Sequence, residues 1–101
     1  MNEAATFKWR LLGGYSGEKG NITAIKKINF TFPPSRGLFL DFGWPAGEQL
    51  IEDEIIYHVE QNEFTVPVTD FNDGSFAELS FKEIKDIFVQ NGWEVIDEER
   101  F

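Results

Sequence analysis

Apolar and polar residues alternate along the first half of the chain, which is the pattern of strands that bury one face of a sheet. Residues 7–11 place apolar side chains at every second position and basic ones between them. Residues 22–32 largely repeat this alternation and are followed by Pro33 and Pro34, which cannot donate the hydrogen bonds of a sheet. Residues 38–42 place leucine and phenylalanine on one face in the same way. The pattern therefore predicts three strands in the first half.

Glycine is concentrated between the first two predicted strands. Residues 13–21 include four glycines together with serine and asparagine, residues that adopt positive φ or local turns with little strain. This composition predicts a long, mobile hairpin loop. Residues 43–47 also combine glycine with proline, which predicts a turn after the third strand.

The middle of the chain fits two patterns. Residues 48–60 match a helix, through apolar residues four positions apart, and they also match an alternating strand. The β-branched and aromatic run at 55–59 favours a strand. After Gln61–Asn62, residues 63–68 resemble its hairpin partner, with apolar side chains facing inward. Pro67 in this segment predicts an edge strand or a bulge.

The last third of the chain contains one clear helix signal. Ser80 and Glu83 form the pattern of a capping box, in which each side chain satisfies a backbone donor beside the other. The apolar stripe that follows predicts a helix at about residues 81–91, and a glycine directly after it is a typical helix stop. Residues 93–96 predict a final strand, and the charged residues 97–101 predict a frayed tail.

Composition agrees with a folded chain. The 101 residues include eleven phenylalanines and no cysteine, so an apolar core can form and no disulfide framework is available. The chain shows no internal repeat and no interdomain linker. We therefore predict a single domain over residues 1–101 of the α+β class. It consists of a single antiparallel sheet of about five or six strands with one main helix packed on one face.

Charge is distributed unevenly along the chain. Residues 1–47 carry six basic and three acidic side chains, whereas residues 48–101 carry three basic and fifteen acidic ones. The second half therefore accounts for more than the whole net charge of -9. An acidic surface favours solubility, and it also attracts basic protein surfaces through its long-range field. The same charge disfavours direct binding to nucleic acid, whose affinity depends on lysine and arginine.

Residues suited to catalysis or cofactor binding are scarce. His58 is the sole histidine and lies among strand-forming residues, so a strand position explains it better than a role as a general base. Residues 70–74 begin like a calcium loop, but Phe81 occupies the place of the bidentate glutamate. We therefore predict no catalytic residue, no metal and no cofactor. An enzyme, and a small-ligand site on the aromatic face of the sheet, stay open as alternatives.

The N-terminal residues lack the pattern of a secretory signal, and no apolar run is long enough to span a membrane. The lack of cysteine fits a reducing compartment. These features predict a cytoplasmic protein that does not bind a membrane.

The acidic residues around the predicted hairpin define the candidate site. Cross-strand placement would join them into one negative field, and a tryptophan in a turn is a typical anchor for a partner. The predicted partner-binding residues are Glu52, Asp53, Glu54, Glu60, Glu63, Asp70, Asp73 and Trp44. Folding of Trp44 back over the sheet edge is an equal alternative to partner contact.

In size, acidity and lack of a catalytic arrangement, the chain resembles immunity and antitoxin proteins that neutralise toxic nucleases, and phage-encoded inhibitors that imitate nucleic acid. The resemblance is one of composition. It implies an acidic protein-binding module, a stoichiometric inhibitor whose second half occludes the basic cleft of a nuclease or another nucleic-acid-handling protein. The alternative is a non-catalytic structural or assembly subunit that uses an edge strand for oligomerisation, a homodimer included.

Overall fold

The two longest strands form a hairpin at the centre of the sheet. The computed structural model describes residues 6–42, 48–68 and 76–101, and all elements named below belong to these residues. In chain order they are β1 (Phe7–Gly17), β2 (Gly20–Phe30), β3 (Phe39–Asp41), β4 (Glu48–Leu50), β5 (Ile56–His58), β6 (Glu63–Pro67), α1 (Phe81–Gln90) and β7 (Glu94–Arg100). β1 and β2 pair along their whole length through a two-residue turn at 18–19.

The prediction of a mobile loop at residues 13–21 is wrong, because both strands of the hairpin continue through its glycines. Close packing explains two of these glycines. A Cβ atom on Gly13 would lie 2.9 Å from Cγ2 of Val68. Gly20 has a φ of +146°, and an added Cβ would lie 2.7 Å from the ring of Phe81. Glycine at these two positions allows neighbouring elements to approach closely. The glycine-rich composition therefore reflects close packing of strands and not a loop.

The five-stranded sheet has the strand order β5-β6-β1-β2-β7. β6 runs parallel to β1, with Lys8 beside Glu63, whereas the other neighbouring pairs of described strands are antiparallel. The prediction of an antiparallel sheet is therefore wrong for this pair, and the sheet is mixed. Alternation of apolar and polar residues is the same for both strand directions and does not reveal the difference. The return of the chain that a parallel pair needs is made by β2, which runs back along β1, so that β6 can start from the same end of the sheet as β1.

β3 and β4 form a separate two-stranded ladder, so the described strands make two sheets and not the predicted single one. The preference for strand in residues 48–60 is confirmed by β4 and β5, which are separated by the irregular residues 51–55. The backbone N–H of Ile51 donates to the carbonyl oxygen of Leu38 at 3.0 Å and extends the ladder. The predicted turn at 43–47 lies outside the described residues.

Helix α1 begins where the sequence predicts, in the C-terminal part of the chain. The hydroxyl of Ser80 accepts a hydrogen bond from the backbone N–H of Glu83 at 3.2 Å, and the carboxylate of Glu83 accepts one from the N–H of Ser80 at 3.2 Å. This capping box satisfies two backbone donors at the start of the helix. Gly92 follows the helix with a φ of +86° and turns the chain into β7.

β7 extends to Arg100, so the prediction of a frayed tail from residue 97 onward is wrong. The strand pairs antiparallel with β2, which satisfies its backbone whatever its side chains are. Side-chain contacts with α1 also hold β7 in place. Nζ of Lys85 lies 2.8 Å from Oε2 of Glu98, and the guanidinium of Arg100 lies 5.6 Å from the centre of the Phe81 ring.

The core lies between one face of the sheet and a layer formed by α1 and the β3–β4 ladder. Its buried side chains include Trp9, Leu11, Ile22, Ile51, Val66, Ile84 and Phe88. Trp9 is fully buried, and its indole N–H donates to the carbonyl oxygen of Phe32 at 3.2 Å. The polar atom of this large core residue is therefore satisfied, as burial requires. The buried residues of α1 belong to this core cluster, and on the opposite face of the sheet Ile25 and Thr65 are each 6% exposed.

Candidate functional site

Strand β5 forms one end of the five-stranded sheet and exposes apolar side chains. It pairs with β6 on one side, and none of the described strands lies on its other side. Ile56 and Tyr57 are 54% and 45% exposed, and Val59, directly after the strand, is 76% exposed. Single exposed apolar residues are ordinary on protein surfaces, but a group of them on a free strand edge is typical of a contact surface. We call Ile56, Tyr57 and Val59 the β5 edge.

Tyr57 is held in place by two contacts. Its ring packs on Phe64 of β6 with the centroids 4.7 Å apart, and its hydroxyl donates a hydrogen bond of 2.6 Å to Oδ1 of Asn62. Asn62 has a φ of +51° in the turn between β5 and β6, a conformation that asparagine tolerates well. Because the ring is already ordered, a partner that covers its exposed part would cost the tyrosine little side-chain entropy.

Four of the predicted acidic residues flank the β5 edge. Glu52, Asp53 and Glu54 lie in the irregular connection before β5, Glu60 lies in the turn after it, and all four are exposed. None of them forms an ion pair with another described residue. Arg36 is near this group, but its Nε donates to the backbone carbonyl oxygen of Glu52 at 3.0 Å, so that contact is with the main chain. We call the four acidic residues the acidic rim.

Glu63 lies apart from the acidic rim. It is partly buried in β6, opposite His58 on β5 and beside Lys8 on β1. Nε2 of His58 lies 2.7 Å from Oγ1 of Thr65, so the histidine ring has a hydrogen-bond partner inside the sheet. The described residues contain no group of three or more side chains suited to hold a metal ion.

Trp44, Asp70 and Asp73, the three other residues of the predicted site, lie outside the described residues. Of the eight predicted residues, the structure therefore places four around β5, which are those of the acidic rim, and Glu63 on a neighbouring strand.

The site predicted from the sequence omitted the apolar β5 edge. Alternation alone assigns Tyr57 and Val59 to a buried face, because most strands bury one of their faces. In residues 55–59, however, apolar side chains occupy both alternating positions. A short strand that is apolar on both faces and lies between two acidic segments is a pattern from which an exposed contact strand could have been inferred.

No protein-family model, curated protein or solved structure matches the chain. The β5 edge and the acidic rim are thus the features from which a function is inferred. None of the helical residues in the described ranges forms a segment long and apolar enough to cross a membrane.

Proposed function

We propose that this chain is an acidic protein-binding module that acts as a stoichiometric inhibitor of the immunity or antitoxin type. Its target is a nuclease or another nucleic-acid-handling protein with a basic cleft. The observation that supports this function is the β5 edge, an exposed strand with an ordered tyrosine that lies between the carboxylates of the acidic rim. Protein interfaces commonly have an apolar, aromatic centre inside a charged border.

The acidic rim supplies the first stage of recognition. Its carboxylates attract a positive surface over distances near the Debye length, ~10 Å at ~0.1 M salt, and thereby raise the association rate. Once the surfaces meet, these carboxylates take the positions that nucleic-acid phosphates would otherwise occupy. Arginine and lysine bind both groups through charge-assisted hydrogen bonds, so a cleft built for phosphate also accepts carboxylate.

The β5 edge supplies the second stage, which determines how long the complex lasts. Tyr57 has one part of its ring packed on Phe64 and the rest exposed, so it can enter a pocket of the partner as a rigid anchor. Ile56 and Val59 beside it exclude water from the surrounding ion pairs. Exclusion of water lowers the local dielectric and strengthens those pairs.

A second function is favoured by the free edge of β5 itself. In that case the chain is a non-catalytic assembly subunit, and β5 pairs with a strand of another copy or of a larger protein. The two ends of the sheet differ in this respect. β7 has five charged side chains among its seven residues, which opposes the addition of a strand, whereas β5 has no acidic or basic residue other than a histidine.

Affinity capture with the tagged chain tests the inhibitor function. The wild-type chain serves as bait in a lysate of the cell that makes it, beside the variants Tyr57→Ser and Val89→Ser. Val89 is 56% exposed on α1, away from the site, so its replacement is a matched loss of exposed apolar surface. We expect wild type and Val89→Ser to retain a basic nucleic-acid-handling protein that Tyr57→Ser loses. One equivalent of the chain should inhibit that protein fully.

The captured protein distinguishes the two functions. Retention of another copy of the chain, or of an assembly protein without a basic cleft, that is lost with Tyr57→Ser would support the edge-strand function. Equal retention by Tyr57→Ser and Val89→Ser would show that the captured protein binds elsewhere and would contradict both functions.

A further inference from the structure

The face of the sheet opposite the core has a charge pattern of its own. Side chains on a strand alternate between the two faces, and Trp9 and Leu11 of β1 belong to the core. Their neighbours on β1 therefore belong to the opposite face, and the strand register extends that face to β2 and β7. We call this surface the open face; it includes Arg10 and Leu12 on β1, Ile25 and Lys27 on β2, and Asp97 and Glu99 on β7.

Two cations lie together on the open face. Arg10 and Lys27 are directly opposite each other on β1 and β2, a position in which like charges repel and destabilise a sheet. Neither side chain forms an ion pair or hydrogen bond with another described residue, although the chain has twice as many acidic as basic residues. The pair is therefore available to an anionic group from outside the fold.

Two carboxylates lie at another part of the same face. Asp97 and Glu99 line an open groove of about 490 Å³, together with Leu12 and Pro67. This groove combines apolar surface with carboxylates, which is the chemistry that suits a long cationic side chain. The apolar stem of such a side chain packs on the leucine and proline, while its charged head reaches the carboxylates.

We propose that the open face is the interface of a homodimer with two-fold symmetry. A two-fold axis between two facing sheets places Arg10 and Lys27 of one copy against Asp97 and Glu99 of the other, and it forms the same contact a second time. A second copy of the chain is the partner that this face fits, because one surface contains both halves of the charge pairing. Leu12, partly buried near the groove, adds apolar contact between the two sheets.

The net charge of -9 on each copy opposes this association. A large part of that charge lies in the acidic rim before and after β5, at the opposite edge of the sheet from β7. At physiological ionic strength the Debye length is ~8 Å, so distant charges are largely screened while groups in direct contact are not. Of the β5 edge, Ile56 lies on the open face, because it is in register with Thr65 and Arg10. Tyr57 is in register with Phe64 and Trp9 and so belongs to the other face, and the Tyr57→Ser variant therefore tests the inhibitor function without changing the open face.

Two double variants test the pairing. The acidic-face variant is Arg10→Glu with Lys27→Glu, and the basic-face variant is Asp97→Lys with Glu99→Lys. In each variant, the four side chains that would pair across the interface all carry the same charge and repel one another. Each variant alone should therefore have a dimer dissociation constant at least ~10-fold higher than wild type. In a mixture of the two variants, every acidic position faces a basic one, and we expect a heterodimer. Its formation also shows that both variants fold.

The control is Glu78→Lys with Asp86→Lys, which makes the same change in net charge as the basic-face variant, at exposed residues of α1 and the segment before it. Sedimentation velocity measures dimerisation at concentrations up to ~1 mM, and native mass spectrometry identifies the species. We expect wild type and control to dimerise, and the acidic-face variant to prefer the basic-face variant over the control. A wild-type chain that is monomeric at these concentrations, or a dimer that persists in both face variants, overturns the proposal.

Discussion

Lys19, in the turn between β1 and β2, donates a hydrogen bond from its Nζ to the backbone carbonyl oxygen of Ala77 at 2.9 Å. The same ammonium group donates to the carbonyl oxygens of Phe76 and Leu79. These carbonyl groups belong to the segment directly before α1. Because hydrogen bonds from a charged donor are stronger than neutral ones, this one side chain fixes the start of the helix to the tip of the central hairpin.

Replacement of Lys19 by methionine should lower the free energy of unfolding by about 2 kcal/mol, because several carbonyl groups lose a charged donor while the apolar stem is kept. Urea unfolding followed by circular dichroism measures the change. Lys82→Met is the control, since Lys82 is exposed on α1 and has no described polar contact. Similar midpoints for the two variants would contradict the role of Lys19.

Gly20→Ala should destabilise the fold by about 3 kcal/mol, because its φ of +146° disfavours a side chain and an added Cβ would meet the Phe81 ring and the carbonyl oxygen of Glu99. Gly37 has a φ of +87°, with no atom within 4 Å of an added Cβ. Gly37→Ala should therefore cost only about 1 kcal/mol from its backbone conformation. Chemical unfolding measures the free energy of unfolding of both variants, and the difference between them is the effect of packing. Equal losses of unfolding free energy would show that close packing at Gly20 is unimportant.

Loss of the capping box should weaken α1. Ser80→Ala leaves the backbone N–H of Glu83 without its hydroxyl acceptor, at an expected cost of about 1 kcal/mol. For a chain of this size, the unfolding temperature should fall by about 4–8 °C. Ser80→Thr keeps a hydroxyl cap and should retain most of the stability. Differential scanning calorimetry compares the three proteins, and an alanine variant as stable as wild type would show that the cap contributes nothing.

Neutralising part of the acidic rim should slow partner binding without loss of stability. In Glu52→Gln with Glu54→Gln, two exposed carboxylates lose their charge, which removes both steering and mutual repulsion. We expect a several-fold lower association rate at low salt and an unfolding free energy within about 0.5 kcal/mol of wild type. Stopped-flow binding to the captured partner measures the rate.

The matched control for this prediction is Glu78→Gln with Asp86→Asn, which removes two exposed carboxylates from another surface. If this control slows association as much as the rim variant does, net charge alone explains the effect. If the rim variant unfolds at lower denaturant with unchanged binding, its carboxylates have a structural role.

Local interactions in this chain were predictable, and distant ones were not. Ser80 and Glu83 are three positions apart and contact each other directly, so their identities alone place the start of α1. The parallel pairing of β1 with β6 joins Lys8 to Glu63, and no local pattern records which distant strand becomes a neighbour or in which direction it runs. The glycines at 13–20 have the composition of a loop, and their packing partners, such as Val68 and Phe81, lie elsewhere in the chain.

The candidate site also has one part that the sequence predicts and one part that it does not. Acidic residues stay exposed in nearly any fold because burial of an unpaired charge is costly, so the acidic rim was predictable from residue type. Exposure of Ile56 and Tyr57 depends on β5 being an edge strand of the sheet. That position follows from the order of strands, which the sequence pattern does not contain.

The strand order also has a consequence for how the chain folds. β1 and β2 meet through a tight turn, whereas their outer neighbours β6 and β7 come from far along the chain. Closing a long loop costs more entropy than closing a short one, and folds built on distant strand pairs fold slowly. The central hairpin can therefore form early, and both of its edges stay unpaired until β6 and β7 pair with it. That interval, between nucleation and docking of the outer strands, is when the folding chain is most exposed to aggregation.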